Sequence, residues 1–129
     1  MDEMTRNNKK KNLENYKLEI QSITRHKDMV ATKIELFKQK TALQEANYKL
    51  ILQDFEYLKP SWKYEQNPDY IENIKALNII SMEENRIMWK DQLYNMEKSI
   101  LASEEQLKSL NDAKEKIEKE LSEDGKSDN

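Results

Sequence analysis

Apolar residues recur along the first half of the chain in alternating steps of three and four, which is the spacing of a heptad repeat. From Leu13 to Leu58, 11 of the 14 positions in this register are apolar or aromatic. At the 36% hydrophobic content of the chain, chance would give about five. The pattern therefore predicts a first long helix over residues 13–58 whose seam packs against another helix.

The same register returns in the second half of the chain. Between Met82 and Leu121, nine of the 12 positions are apolar. An S-x-x-E capping box at Ser81 and Glu84 marks a helix start, so a second long helix is predicted over residues 81–122. The flanking residues are predicted to be a basic flexible N-terminus over residues 1–12 and a disordered tail over residues 123–129.

The segment between the two helices, residues 59–80, reads as a structured corner that contains a short helix. Pro60 disfavours helical geometry at the residue before it and ends the first helix near residue 58. Asn67 and Pro68 have the chemistry of an N-cap and a first-turn proline. Whether the helix breaks over residues 78–81 stays open. Three aromatic residues are predicted to cover the end of a hairpin rather than form a ligand pocket: Trp62, Tyr64 and Tyr70.

These elements predict an all-α fold: a long antiparallel helical hairpin, or coiled coil, with a short helix in the connecting corner, packed into an oligomeric bundle. Pairing about this corner places opposite each other residues whose numbers add up to about 142. Lys27 would then lie near Lys114, and Thr41 near Ser103. A bent oligomer with parallel packing is the alternative.

Each helix also carries a second apolar row at a spacing of seven residues. The row on the first helix lies about 100° from the nearer seam row, so one partner helix cannot cover both. Exposing such side chains is unfavourable, because burying each one contributes about 1.5 to 3 kcal/mol. The rows therefore predict an interface for self-association or for a protein partner. They consist of Met29, Leu36, Leu43, Leu50 and Tyr57 on the first helix, and Ile80, Ile87, Tyr94 and Leu101 on the second.

The residue types that carry catalysis are scarce. The chain has no cysteine, and its single glycine, Gly125, lies in the C-terminal segment, so there is no thiolate site and no glycine-rich phosphate loop. His26 is the only histidine and has no partner at metal-ligand spacing. The adjacent acids Glu83/Glu84 and Glu104/Glu105 point about 100° apart on a helix. We therefore expect no enzymatic activity, no metal and no cofactor.

Charge is distributed unevenly, with a net +4 over residues 1–40 and −5 over residues 71–129. This distribution favours antiparallel pairing. A basic run could contact nucleic-acid phosphates by charge alone, but the overall net charge of −3 and the lack of aromatic residues in the run argue against that role. The basic residues concerned are Arg6, Lys9, Lys10 and Lys11.

No apolar run reaches the roughly 18 residues that a membrane span needs, and the first 15 residues lack the apolar core of a signal peptide. We therefore expect no membrane association, and a protein of the cytoplasm or of a particle assembled there.

These patterns together predict a non-enzymatic structural or assembly protein that acts through many copies. It would be a scaffold or an internal component of a larger particle, such as a virion, and its partners would be its own copies and other proteins of the assembly. The alternative is an adaptor or chaperone-like module that receives a helix of another protein.

Overall fold

The computed structural model describes residues 1–62 and 68–127, without the side chains of residues 58–62, 68, 70, 71, 126 and 127. It contains two helices of 60 residues each, α1 (Glu3–Trp62) and α2 (Pro68–Ser127). No strand occurs in these described ranges. The predicted all-α class is confirmed.

Helix α1 begins earlier than predicted, because Asp2 caps it. The backbone N–H of Thr5 donates to the Asp2 carboxylate at 2.7 Å, and the N–H of Arg6 donates to the Asp2 carbonyl at 3.0 Å. Glu3 adds a negative charge to the first turn, where the helix dipole favours it. The predicted helix start at residue 13 is therefore wrong, and residues 3–12 belong to α1.

Helix α1 also continues through Pro60 to Trp62, past the predicted end at residue 58. Proline has no backbone N–H, so α1 continues past Pro60 with one intrahelical hydrogen bond fewer, and the local preference of the proline did not end the helix. Pro68 is the first residue of α2, as its sequence context predicted. The predicted N-cap Asn67 and the side chains of Trp62, Tyr64 and Tyr70 lie outside the described part of the chain.

The predicted short helix and second long helix are one continuous element. Helix α2 runs unbroken through residues 78–81, where the side-chain amide of Asn78 donates to the carbonyl of Ile74 at 3.0 Å. The capping box at Ser81 and Glu84 is wrong, because these residues lie inside α2, where intrahelical bonds already engage the backbone amides. Residues 123–127, predicted as tail, are helical.

The chain divides into two compact units. Unit 1 comprises Met1–Thr32 and Glu97–Asn129, and unit 2 comprises Lys33–Met96. In unit 1, ion pairs join Arg6 to Asp124 and Lys27 to Glu104, and their residue numbers add up to 130 and 131. The segments of α1 and α2 in this unit therefore run antiparallel.

Unit 2 is a helical hairpin, as predicted. Ion pairs join Glu45 to Arg86 and Glu56 to Lys75, and the residue numbers of both pairs add up to 131. The predicted value of about 142 is wrong, because the chain reverses between Trp62 and Pro68 and not across a 22-residue corner.

Two predicted contacts are wrong for the same reason. Lys27 lies 3.3 Å from Glu104 and is not paired with Lys114. Thr41 lines a groove of unit 2 together with Trp89 and Lys90, and Ser103 is not among the residues of that groove.

The predicted seam is the buried part of each unit. Val30 and Ser103 are buried in unit 1, and Ile34 and Met82 are buried in unit 2. The other seam positions with described side chains are half-buried, apart from Ile51. Ile51 is exposed, and its neighbour Leu52 is half-buried in its place.

Candidate interaction surface

Every residue of the two predicted rows is exposed. We call Leu36, Leu43, Leu50 and Tyr57 the α1 row, and Ile80, Ile87 and Tyr94 the α2 row; both rows belong to unit 2. Tyr57 is the most exposed of these side chains, at 83%. Met29 and Leu101, which continue the two rows in the sequence, are exposed in unit 1.

The α1 row borders a groove that is rich in side-chain amides. On the surface of α1, Asn47 is a neighbour of both Leu43 and Leu50, because it lies four residues after the first and three before the second. The groove is lined by Gln44, Asn47, Tyr48, Ile51, Asn78 and Asn85.

The α2 row borders a second groove, which is lined by charged and apolar groups. Lys90 is a surface neighbour of both Ile87 and Tyr94, because it lies three residues after the first and four before the second. The groove is lined by Phe37, Lys38, Thr41, Ala42, Glu45, Arg86, Trp89, Lys90 and Leu93.

The two rows therefore lie on opposite flanks of unit 2. Glu45, in the charged groove, and Asn47, in the amide groove, are two residues apart, so their side chains project about 200° apart around α1. Each groove runs between the helices on its own side of the seam. A single partner helix cannot contact both rows at once.

An ion pair of good geometry crosses the charged groove. The guanidinium of Arg86 donates to both carboxylate oxygens of Glu45, at 2.6 and 2.7 Å. These hydrogen bonds lower the pKa of Glu45 and raise the pKa of Arg86. Arg86 also pairs with Glu83. The pair keeps both groups charged and ties α1 to α2 at one position.

A polar layer interrupts the seam beside the amide groove. The side-chain amide of Asn85 donates to the hydroxyl of Tyr48 at 2.9 Å. The side-chain oxygen of Gln44 is buried and accepts no hydrogen bond from the residues that the structure describes. Polar groups at seam positions favour one register at a cost in stability. Sequence reasoning found Gln44 and Tyr48 in the seam, but Asn85 lies outside the repeat and gave no signal.

The basic residues predicted to contact phosphate are only partly available. Arg6 donates to the Asp124 carboxylate at 2.8 Å, and Lys9 pairs with Glu120. These hydrogen bonds lower the pKa of Asp124 and of Glu120. The two remaining lysines of the run, Lys10 and Lys11, are exposed.

The histidine and the paired acidic residues considered as catalytic candidates lie on the surface of the helices. His26, Glu84 and Glu105 are exposed, Glu83 pairs with Arg86, and Glu104 pairs with Lys27. No group of three histidine, cysteine, aspartate or glutamate residues within residues 1–62 and 68–127 has the geometry to hold a metal ion.

Sequence reasoning missed part of the exposed apolar surface. Leu77, Ile79 and Met88 are exposed in unit 2 in addition to the two rows. Ile79 lies in the stretch 78–81, where the sequence leaves a helix break open, and it belongs to neither predicted row. The signal that could have placed it is the apolar pair Ile79-Ile80 inside a continuous helical pattern.

The geometry defines a class of protein, a helical hairpin with two exposed apolar rows. Comparison with models of protein families, with curated proteins and with solved structures finds no match. None of the described helices has an apolar stretch long enough to cross a bilayer.

Proposed function

We propose that this protein is a non-enzymatic structural protein that self-associates through coiled-coil packing of its exposed rows. It would act as a scaffold or an internal component of a larger assembly, such as a virus particle. The observation that supports this proposal is the exposure of all seven apolar side chains of the α1 and α2 rows.

Association of two molecules requires the burial of several apolar side chains, which a row provides and an isolated contact does not. Association costs about 4 to 15 kcal/mol in lost freedom, while burying one aliphatic side chain contributes about 1.5 to 3 kcal/mol. One or two exposed leucines would therefore not hold two molecules together. A continuous row of four could do so, and exposed apolar patches of this kind mark interaction sites.

The spacing of the rows indicates what covers them. Apolar side chains at intervals of seven fit a second helix that has the same repeat. Another copy of this chain presents that repeat on both of its helices. Most soluble oligomers are assemblies of identical chains, which also favours a second copy as the partner.

Light scattering across a range of concentrations tests this proposal. Wild-type protein should form a defined oligomer, and Leu36→Glu should shift it towards monomer, because a buried carboxylate in the row is strongly unfavourable. Leu18→Glu is the matched control: Leu18 is 62% exposed and Leu36 is 59% exposed, but Leu18 lies outside both rows. A wild-type monomer at every concentration would contradict self-association.

A second candidate function is an adaptor or chaperone-like module that receives a helix of another protein. The exposure of Met88, together with Leu77 and Ile79, favours it, because flexible methionine side chains suit an adaptable binding surface. A monomer that binds an amphipathic helical peptide, and loses this binding with Leu43→Glu, would support this function over self-assembly.

A further inference from the structure

We infer that the α1 row pairs with the α1 row of a second copy about a two-fold axis, with the two α1 helices antiparallel. This inference rests on the proposed self-association and specifies its geometry. It concerns only unit 2, in which all residues of the row lie.

The α1 row is symmetric about its own midpoint. The midpoint falls between Ala46 and Asn47, and Leu43 and Leu50 lie at equal distances from it. Antiparallel pairing about this point places Leu43 of one copy against Leu50 of the other. It also places Leu36 against Tyr57, so four exposed apolar residues of each copy become covered.

The charges along one edge of the row have the same symmetry. Lys40 and Asp54 are exposed on that edge, on either side of the midpoint, and neither is in an ion pair with a described residue. In the antiparallel arrangement, Lys40 of each copy faces Asp54 of the other, which gives two symmetric pairs. A parallel arrangement in register would instead place this edge of one copy against the opposite edge of the other, so that Lys40 and Asp54 would not face each other.

The other edge of the row permits close approach. Ala46 lies beside the axis and is exposed. Its side chain is a single methyl group, and alanine favours helix. Gln39 and Gln53 are also exposed, seven residues before and after Ala46. Their side-chain amides can hydrogen-bond across the axis, because each amide is both a donor and an acceptor.

An antiparallel pairing of the α1 row with the α2 row of another copy brings like charges together in one of its two full registers. The register that places Tyr57 against Ile80 sets Asp54 against Glu83 and Glu84, which border the α2 row and are exposed. Like charges at such positions repel. This register is therefore less favourable than pairing of the α1 row with itself.

Cysteine cross-linking tests this geometry, since the chain contains no cysteine of its own. Ala46→Cys should cross-link to itself with a short bis-maleimide, whereas Leu36→Cys should not, because its two copies lie far apart on either side of the axis. A mixture of Leu36→Cys with Tyr57→Cys should give a cross-linked heterodimer. Self-cross-linking of Leu36→Cys, or no cross-link from Ala46→Cys in a wild-type-like oligomer, would overturn the inference.

Charge reversal gives a second test that does not depend on cysteine. Lys40→Asp and Asp54→Lys should each raise the dimer dissociation constant severalfold, and the double variant should restore it. A double variant as weak as the singles would overturn the two-fold geometry.

These outcomes separate the inference from the proposed function. An oligomer that fails both tests contradicts only the two-fold pairing. A wild-type chain that stays monomeric contradicts self-association and the inference together.

Discussion

Unit 1 and unit 2 are built from the same two helices and the same seam, but their outer surfaces differ. Of the 16 large hydrophobic side chains exposed in the described part of the chain, 11 lie in unit 2 and five in unit 1. In unit 1 they are scattered, as at Leu18 and Met29. In unit 2 most of them form the α1 and α2 rows.

The difference distinguishes the seam, which joins α1 to α2, from the outer rows, which lie on the surface. In unit 1, the seam and ion pairs such as Lys27 to Glu104 join α1 to α2 beside an outer surface that has few apolar side chains. The outer rows of unit 2 are exposed, so they contribute little buried surface to the hairpin itself. The proposed self-association would cover these rows by a contact outside the hairpin.

The largest expected effect comes from the seam of unit 2. Met82 is only 5% exposed, so Met82→Ala should lower the free energy of unfolding by about 2 to 5 kcal/mol through lost burial and a residual cavity. Met88→Ala is the control, because the same substitution on the same helix removes a side chain that is 50% exposed. Surface changes of this kind usually stay within about 0.5 kcal/mol.

Urea unfolding at a concentration where the protein is monomeric measures both variants. If Met88→Ala cost as much as Met82→Ala, the distinction between seam and outer surface in unit 2 would be wrong.

A smaller effect of opposite sign is expected from the polar layer of unit 2. Gln44→Met should raise the free energy of unfolding by about 1 to 3 kcal/mol, because it removes a buried oxygen that accepts no hydrogen bond from the described residues. Gln92→Met, at an exposed position of unit 2, should have little effect. Urea unfolding of both variants makes the measurement.

A loss of stability in Gln44→Met would show that the Gln44 side chain contributes to the hairpin. The buried Gln44 oxygen would then not be a weak point of the seam of unit 2.

The sequence predicted the faces of the helices better than their ends. A heptad repeat sustained over more than 40 residues determines which side chains face the partner helix, and so both the seam and the nine exposed row residues followed from it. The helix boundaries rested on short local signals at Pro60 and Ser81, and continuous helical hydrogen bonding overrode both.

The inter-helix register depended on those boundaries, which explains the error in the partner of Lys27. Asp2, three positions before Thr5, is a residue type that caps helices. The basic run that follows it is also typical of a flexible terminus, and the sequence analysis predicts the latter. What covers the rows could not be read from one chain, because it depends on a second molecule.

The smallest effect is expected at the ion pair between Arg6 and Asp124 in unit 1. The hydrogen bond from Arg6 is the largest cause that holds the pKa of Asp124 below its ordinary value of 3.8. The pair therefore stabilises the folded state above pH 3.8, and this contribution is lost as the pH falls through the pKa of the folded state. Arg6→Gln should raise the pKa of Asp124 towards 3.8.

Titration of the side-chain carboxyl carbons by NMR measures this pKa directly. Arg25→Gln is the control, because it removes the same charge from an exposed position of α1 and should leave the pKa of Asp124 unchanged. Arg86→Gln provides the comparison in unit 2, where the pKa of Glu45 should rise towards 4.5. If Arg6→Gln left the Asp124 titration unaltered while Arg86→Gln moved that of Glu45, the pairing of α1 with α2 by charge would hold in unit 2 and fail at the end of unit 1.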